Sequence, residues 1–275
     1  MKVLKCTDLA NEIKLFASSA VSLNNVKPKV VILKANNDKA SATYVKRKME
    51  TMCECGIDSE LIEFEPWIET DYVVEEIARL NDDKDVTGII VQMPLYPFLD
   101  SFEILEAISP MKDIDCLTSK NIGLMMKGEP RVLPATPVGV ISFLETITEI
   151  DGKNVLILGR SEIVGLPLSV MLTQENATVT LAHSHSEYDV NAYDIVISAI
   201  GVGESVLVTN PNTICIDVGI SYKEVDGKRV QIGDFDINNP LFNCKLVTAP
   251  KGGTGILTSS TVCLSAVKLA VMQQQ

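Results

Sequence analysis

The sequence predicts an α/β protein of two lobes, the second of them a doubly wound parallel sheet. Three observations predict it. Short, apolar, β-branched runs alternate with helical repeats through the first half, and the same rhythm returns more sharply in the second half. Between the halves, RVLPATPVG (131–139) holds two prolines and a glycine, and the lobe boundary is placed there. With 275 residues, 46% of them hydrophobic, the chain can bury one large core or two smaller ones.

In the first half, VKPKVVILKAN (26–36) has a β-branched centre and a polar end, as a buried parallel strand would. From Ser41 to Cys55 apolar positions recur at helical spacing, and Gly56 suits a C-terminal cap. ELIEFEP reads as a second strand. TDYVVEEIARLNDD follows as a helix with Val73, Val74, Ile77 and Leu80 on one face, and TGIIVQMPL reads as a third strand. Beyond the boundary come NVLILG, a helix from about Ile163 to Gln174, then ATVTLAH, YDIVISAIG and TICIDVG, the pattern of a sheet with helices on both faces. The last segment, TGILTSSTVCLSAVKLAVMQQQ, reads as a Ser- or Thr-capped helix with Val262, Ala266, Leu269 and Ala270 on one stripe.

Composition removes several classes of function. A formal charge of −12 argues against nucleic acid, whose phosphates require a basic surface. No apolar run reaches the roughly 18 uninterrupted residues of a membrane span, and MKVLKCTDLANEIK is too polar for a secretory leader, so a cytoplasmic protein is expected. Seven scattered cysteines imply reduced, mostly buried thiols. Only Cys53 and Cys55 lie close together; without a second pair of ligands they read as helix packing, and no metal site is expected.

GRSEIVGLP (159–167) follows a strand and leads into a helix, where dinucleotide-binding folds hold a pyrophosphate. Gly159 would permit the tight turn and Gly165 the close packing of helix on sheet. The spacing is G-x-S-x-x-x-G, so an ordinary strand-to-helix turn is as good a reading of this stretch alone. Arg160, with His183 and Ser184 at the end of the next strand, sharpens it: a basic residue with hydroxyl donors favours a ribose 2′-phosphate, and no acidic residue precedes Glu187 there. NADP is therefore expected over NAD, held by Gly159, Arg160, Ser161, Gly165, Ser184 and Thr136. His183 and His185 are given no catalytic role.

Tyr44 and Lys48 lie four apart on the first predicted helix and share a face; alone, such a pair is ordinary solvated surface. Gln92 ends the strand GIIVQ, where open parallel sheets place ligand-binding residues, and Asp113 and Asp115 sit in PMKDIDCL. A lysine, an amide and a carboxylate could converge from these segments.

Together these motifs resemble the methylenetetrahydrofolate dehydrogenase/cyclohydrolase family. ASATYVKRK resembles A-S-x-x-Y-V-x-x-K, VQMPLYP resembles Q-L-P-L-P, and KDIDC resembles K-D-V-D-G. PATPVG resembles P-C-T-P-x-G, and GRSEIVGLP resembles G-R-S-x-I-V-G-x-P. The resemblance implies a folate lobe joined to a Rossmann-type NADP lobe, a C-terminal helix returning to the first lobe, and a homodimer. It divides the chain into a folate-binding catalytic domain, 1–137, completed by helix 255–275, and an NADP-binding domain, 138–254. It implies Tyr44 stacked on the folate, Lys48 as the central catalytic residue, Gln92 supporting it and Asp115 holding the pterin. APKGGTGILT resembles P-V-P-G-G-V-G-P-M-T and implies substrate contacts at Gly252 and Gly253. The chain departs from the family at Cys116 (for Gly), Ala135 (for Cys), Lys251 and Ile256 (for Pro), and in lacking the usual His-Pro after KDIDC.

The expected chemistry is hydride transfer from the methylene carbon of a tetrahydrofolate to NADP, then addition of water to the methenyl carbon with Lys48 as proton acceptor. Three alternatives stay open: a monofunctional NAD-dependent methylenetetrahydrofolate dehydrogenase, another two-lobed oxidoreductase of shikimate-dehydrogenase type, and a binding protein that has lost turnover.

Overall fold

The fold is that of a computed structural model describing residues 1–225 and 227–274. The chain opens with β1 (Lys2–Leu4), α1 (Thr7–Leu23), β2 (Lys29–Lys34), α2 (Lys39–Glu54), β3 (Asp58–Glu63), α3 (Thr70–Asp82) and β4 (Gly88–Gln92). Three helices follow, α4 (Ser101–Glu106), α5 (Ser119–Met126) and α6 (Ala135–Ile147). Then come β5 (Asn154–Leu158), α7 (Gly165–Gln174), β6 (Thr178–Ala182), β7 (Ile195–Ser198) and β8 (Ile214–Asp217). The chain closes with β9 (Ser221–Val225), β10 (Lys228–Ile232), β11 (Leu246–Thr248) and α8 (Thr254–Gln273). It divides into two compact units: Asn11–Ala135 with the C-terminal stretch from Ser259, and Met1–Ala10 with Thr136–Thr258.

The first unit carries a three-stranded parallel sheet in the order β3-β2-β4, with Val30 opposite both Ser59 and Gly88. Central β2 is covered on both faces, so Val30, Val31, Ile32 and Leu33 are all buried and the strand reads as an unbroken apolar run. On α3, Val73, Ile77 and Leu80 recur at helical spacing and pack on Val31, Leu33, Ile89 and Val91. Helix α2 starts two residues before the predicted Ser41 because Asp38 caps it, accepting from the N–H groups of Ala40 (3.0 Å) and Ser41 (3.1 Å). Gly56, at φ +75°, closes it in the left-handed region that a helix C-terminus favours.

Helix α8 revises one expectation. Its 20 residues reach a mean hydropathy of 1.6 over an 18-residue window, long and apolar enough to cross a membrane, because scattered Ser and Thr interrupt the apolar run without interrupting the helix. Yet 61% of that window is buried within the protein. Val262, Ala266 and Leu269 are fully buried, and Ala270 nearly so. Its polar groups bond residues 87–135: Gln273 Nε2 donates to the carbonyls of Thr87 and Met111 (both 2.8 Å), and Thr261 Oγ1 to that of Ala135 (2.8 Å). From Ser259 onward α8 is therefore a core helix of the first unit, the return that the resemblance implied.

The second unit is a six-stranded parallel sheet, order β1-β11-β8-β7-β5-β6. From β5 the chain moves outward to β6 and then crosses to β7 on the other side of β5, so the strand order reverses between β5 and β7. Doubly wound sheets bind ligands at the carboxyl end of such a reversal. Leu156, Leu158, Val196, Cys215, Phe235 and Val247 fill part of its core.

Several elements carry no clear signal in the sequence. β1 and β11 are three residues each, too short to show a period, and they pair with one another, Lys2 opposite Leu246. The chain's opening strand thus completes the six-stranded sheet, whereas the resemblance implies residue 1 in the folate lobe. Helices α1, α4 and α5 and the antiparallel pair β9–β10 were not read either. Helix α6 begins inside PATPVG, with Pro137 in the first turn, where its missing N–H is not needed.

Leu269→Ala, which opens a hole at a fully buried position of α8, should cost about 2–5 kcal/mol. Urea unfolding should show it as a lower midpoint at an unchanged slope.

Candidate functional site

Lys48 and Tyr44 sit one turn apart on α2, and Gln92 is the last residue of β4. Lys48 is only 5% exposed. Its Nζ donates to Gln92 Oε1 at 3.3 Å and lies 5.3 Å from the centroid of the half-buried Tyr44 ring. Gln92 Nε2 donates to the Met93 carbonyl (2.9 Å), which fixes the amide with its oxygen towards the lysine. Asn36, just beyond β2, went unnoticed in the sequence. Its buried Nδ2 reaches Ser41 Oγ (3.3 Å) and the carbonyls of Gln92 (3.4 Å) and Pro94 (2.8 Å), tying the ends of β2 and β4 to the start of α2. Only its place at a strand end signalled this, a place that turn-forming asparagines share.

The KDIDC segment divides its labour. Lys112 Nζ donates to the carbonyls of Leu80 (2.8 Å) and Asp83 (2.6 Å), capping the end of α3; burial lowers its pKa. Asp113, 1% exposed, accepts from the N–H groups of Leu117 (3.0 Å) and Thr118 (2.9 Å), from Thr118 Oγ1 (2.8 Å) and from Asn121 Nδ2 (2.9 Å). It holds the turn together. Asp115 is half-buried and makes no side-chain hydrogen bond among the described residues, so it alone of the two is available to a ligand. Burial raises its pKa, Lys48 opposes that, and Asp113 adds to it. Cys116 stands at φ +59°, the left-handed region that explains the family's glycine at this position.

In the second unit, Gly159 follows β5 at φ +108°, and a Cβ there would meet the Ala199 carbonyl oxygen at 2.8 Å. A Cβ on Gly165 would collide with the Gly159 carbonyl. Both glycines are needed for α7 to start close against the strand. No side chain caps that helix start; the Leu166 N–H donates to the Ser161 carbonyl (3.1 Å) and Pro167 has no N–H, which leaves the Gly165 N–H at the first turn. Arg160 and Ser161 in this turn are exposed, as is Ser184 just beyond β6, the strand paired with β5. Thr136 Oγ1 lies 3.0 Å from Thr258 Oγ1. Gly252 (φ +79°) accepts at its carbonyl from the Cys6 N–H (2.8 Å), and a Cβ on Gly253 would strike the Ala249 carbonyl, so this turn demands glycine while tolerating exposed Lys251. All seven cysteines are free, with Cys53 exposed and the rest buried.

Residues 4–115 match the domain described as tetrahydrofolate dehydrogenase/cyclohydrolase, catalytic domain, and residues 134–274 match its NAD(P)-binding domain. The chain belongs to the tetrahydrofolate dehydrogenase/cyclohydrolase family. It is 38% identical over 271 residues to the bifunctional protein FolD of Rickettsia canadensis, covering 94% of this chain and 93% of that one. To FolD of Clostridium tetani it is 39% identical over 258 residues, 91% of each chain. Among solved structures, it resembles the methylenetetrahydrofolate dehydrogenase-cyclohydrolase of Trypanosoma brucei complexed with NADP cofactor and inhibitor, with TM-score 0.93, 29% identity and coverage of 99% and 98%. The bifunctional FolD enzyme of Campylobacter jejuni gives TM-score 0.90 at 31% identity, with 98% of each chain covered.

Within this family framework the two aspartates should separate cleanly. Asp113→Ala strands buried donors and should cost about 1–3 kcal/mol. Asp115→Ala removes a carboxylate that burial disfavours and should leave the urea midpoint at pH 7 unchanged or raised.

Proposed function

We propose that this chain oxidises 5,10-methylenetetrahydrofolate to the methenyl compound with NADP and hydrolyses that product to 10-formyltetrahydrofolate, supplying one-carbon units in the cytoplasm. The observation that carries the reading is the buried Lys48 amine held by the amide oxygen of Gln92, with Tyr44 alongside and the carboxylate of Asp115 unengaged. Family membership and the bifunctional relatives support both activities. The homodimer rests on the family resemblance alone.

Each residue has a role suited to its chemistry. Asp115, with free acceptor oxygens, takes hydrogen bonds from the pterin amino and ring N–H groups. Tyr44 offers its ring face to the folate, and the Gly252–Gly253 turn lets backbone approach the substrate. NADP, when bound, supplies the hydride acceptor. The chain contributes orientation to that step. In the hydrolytic step Lys48 serves as the acceptor of the proton from the water that adds to the methenyl carbon, while Gln92 holds the amine in place. A neutral amide partner suits this role, since it steadies the amine without the charge of a carboxylate.

The cofactor assignment rests on the second unit. Gly159 and Gly165 shape a cradle that a Cβ would fill, and the uncapped start of α7 suits a phosphate. Arg160, Ser161 and Ser184 surround it as exposed donors for a 2′-phosphate, with Thr136 proposed as a further contact. The T. brucei relative complexed with NADP adds support.

Arg160→Ala should raise the KM for NADP much more than that for NAD; steady-state kinetics with each cofactor would show equal rises if Arg160 has no such role. Lys48→Met keeps the apolar stem and removes the amine, so methenyl hydrolysis should fall by about 10²- to 10⁴-fold. Dehydrogenation should fall far less, and the methenyl compound should accumulate, followed by absorbance beside the reduced cofactor. Hydrolysis at the wild-type rate in a folded variant would remove Lys48 from the chemistry.

A further inference from the structure

One buried amide, outside the residues given a role in the reaction, reaches both sides of the Lys48–Gln92 contact. Asn36 lies two residues beyond β2 and is 6% exposed. Its Nδ2 donates to the Pro94 carbonyl at 2.8 Å and, at longer range, to the Gln92 carbonyl (3.4 Å) and Ser41 Oγ (3.3 Å). Its Oδ1 accepts from the N–H of Asp38 (3.1 Å), the residue whose carboxylate caps α2. The Asn36 backbone is held as well, its carbonyl accepting from Lys34 Nζ (3.0 Å), which is itself paired with Glu63 (2.7 Å). Both polar atoms of the side chain are thus engaged, by segments that converge from β4 and α2.

These bonds lead to the two ends of one contact. Ser41 and Lys48 share the buried face of α2 with Val45 and Met52, two turns apart. Through Ser41 and the Asp38 cap, Asn36 sets where that helix starts and so where the Lys48 stem leaves it. Through the carbonyls of Gln92 and Pro94 it grips the backbone from which the Gln92 amide projects, and Gln92 Nε2 turns back onto Met93 in the same segment (2.9 Å). Lys48 Nζ and Gln92 Oε1 are 3.3 Å apart, so a shift of about half an ångström at either end would take them out of hydrogen-bond range. The chemistry restricts the residue. Carbonyl oxygens on one side and an N–H on the other call for a short side chain that donates and accepts at once, which a carboxamide does with two N–H hydrogens and an oxygen. An ionised aspartate would face the carbonyls with no proton to give.

We propose that Asn36 is a positioning residue for the hydrolytic step, fixing the distance between the Lys48 amine and the Gln92 amide from both sides. Its catalytic consequence rests on the reading of Lys48 as proton acceptor; its hold on the contact does not.

Two measurements on the whole chain separate these. In steady-state hydrolysis of the methenyl compound, Asn36→Ala should lower kcat about tenfold to a hundredfold, the scale of a misplaced reacting group, while KM changes by less than about threefold. In the absence of substrate, brief acetylation with acetic anhydride, read at each lysine by mass spectrometry, should modify Lys48 several-fold faster in the variant than in the wild type. Lys112, buried at the end of α3, serves as the reference and should react at an unchanged rate. Asn36→Asp keeps the size and the acceptor oxygen but removes the donors, so it should follow Asn36→Ala in both measurements, and it carries the test if the alanine variant does not fold. A folded variant with wild-type kcat would overturn the positioning role in hydrolysis. Acetylation that is unchanged at Lys48, or that rises equally at Lys48 and Lys112, would overturn the hold on the contact. Wild-type protein that does not hydrolyse the methenyl compound would overturn the proposed reaction and Asn36's part in it, and the acetylation rates would still decide whether Asn36 holds Lys48 against Gln92.

Discussion

The candidate site depends on keeping one lysine amine out of water with a partner that carries no charge. Three lysines of the same unit are buried, and they are stabilised differently. Lys34 pairs with Glu63 at 2.7 Å, a salt bridge at the carboxyl end of β2. Lys112 is spent on the carbonyls that end α3. Lys48 alone is held by an amide, at 3.3 Å, and no hydrogen bond joins it to Asp115. The amide oxygen accepts from the amine and fixes its direction without placing a charge in direct contact with it. The surrounding structure serves that contact. Asn36 clamps the strand ends, Gln92 is oriented through Met93, and α2 is anchored at its start by Asp38.

The same economy appears in KDIDC, where four neighbouring residues meet four different demands. Capping a helix uses Lys112, closing a turn uses Asp113, and the left-handed position uses Cys116, which leaves Asp115 unengaged. The first three demands are about stability, and they explain why the acid that remains can be partly buried without a donor. A turn less firmly tied by Asp113 would let Asp115 move to water, where its pKa would relax and its direction would be lost.

What the sequence disclosed, and what it hid, follows from the range of the interactions. Strands β2, β4 and β5 were legible because two covered faces make an unbroken apolar run, and α3 because its buried stripe repeats locally. Gln92 was legible as the polar last residue of an apolar strand, and its amide oxygen meets Lys48. β1 and β11 were not, since three residues have no period and their pairing joins opposite ends of the chain. The separate fates of Asp113 and Asp115 were also hidden: both are aspartates in one short segment, and only the positions of Thr118 and Asn121 distinguish them. Helix α8 was legible as a helix with one apolar stripe, but its burial on the other faces was not, and composition suited to lipid is satisfied there by burial against residues 87–135 and the unit's core.

The glycines of the second unit carry a further step. Gly159 and Gly165 are set by backbone approaching backbone, as a phosphate-binding turn requires, but Gly219 and Gly233 are set by carboxyls approaching backbone. In the sequence all four look alike, small residues after short strands. Only the first pair belongs to a fingerprint, and even that departs from the usual spacing. The second pair reports a different constraint: the Asp234 carboxyl lies against Gly219 and the Asp217 carboxyl against Gly233, so neither position has room for a side chain. Because Asp234 spends its acceptor on the loop beside Gly159, the two pairs converge on one place, the reversal between β5 and β7. Space removed by one set of glycines is filled by the acids that fix what the other set approaches.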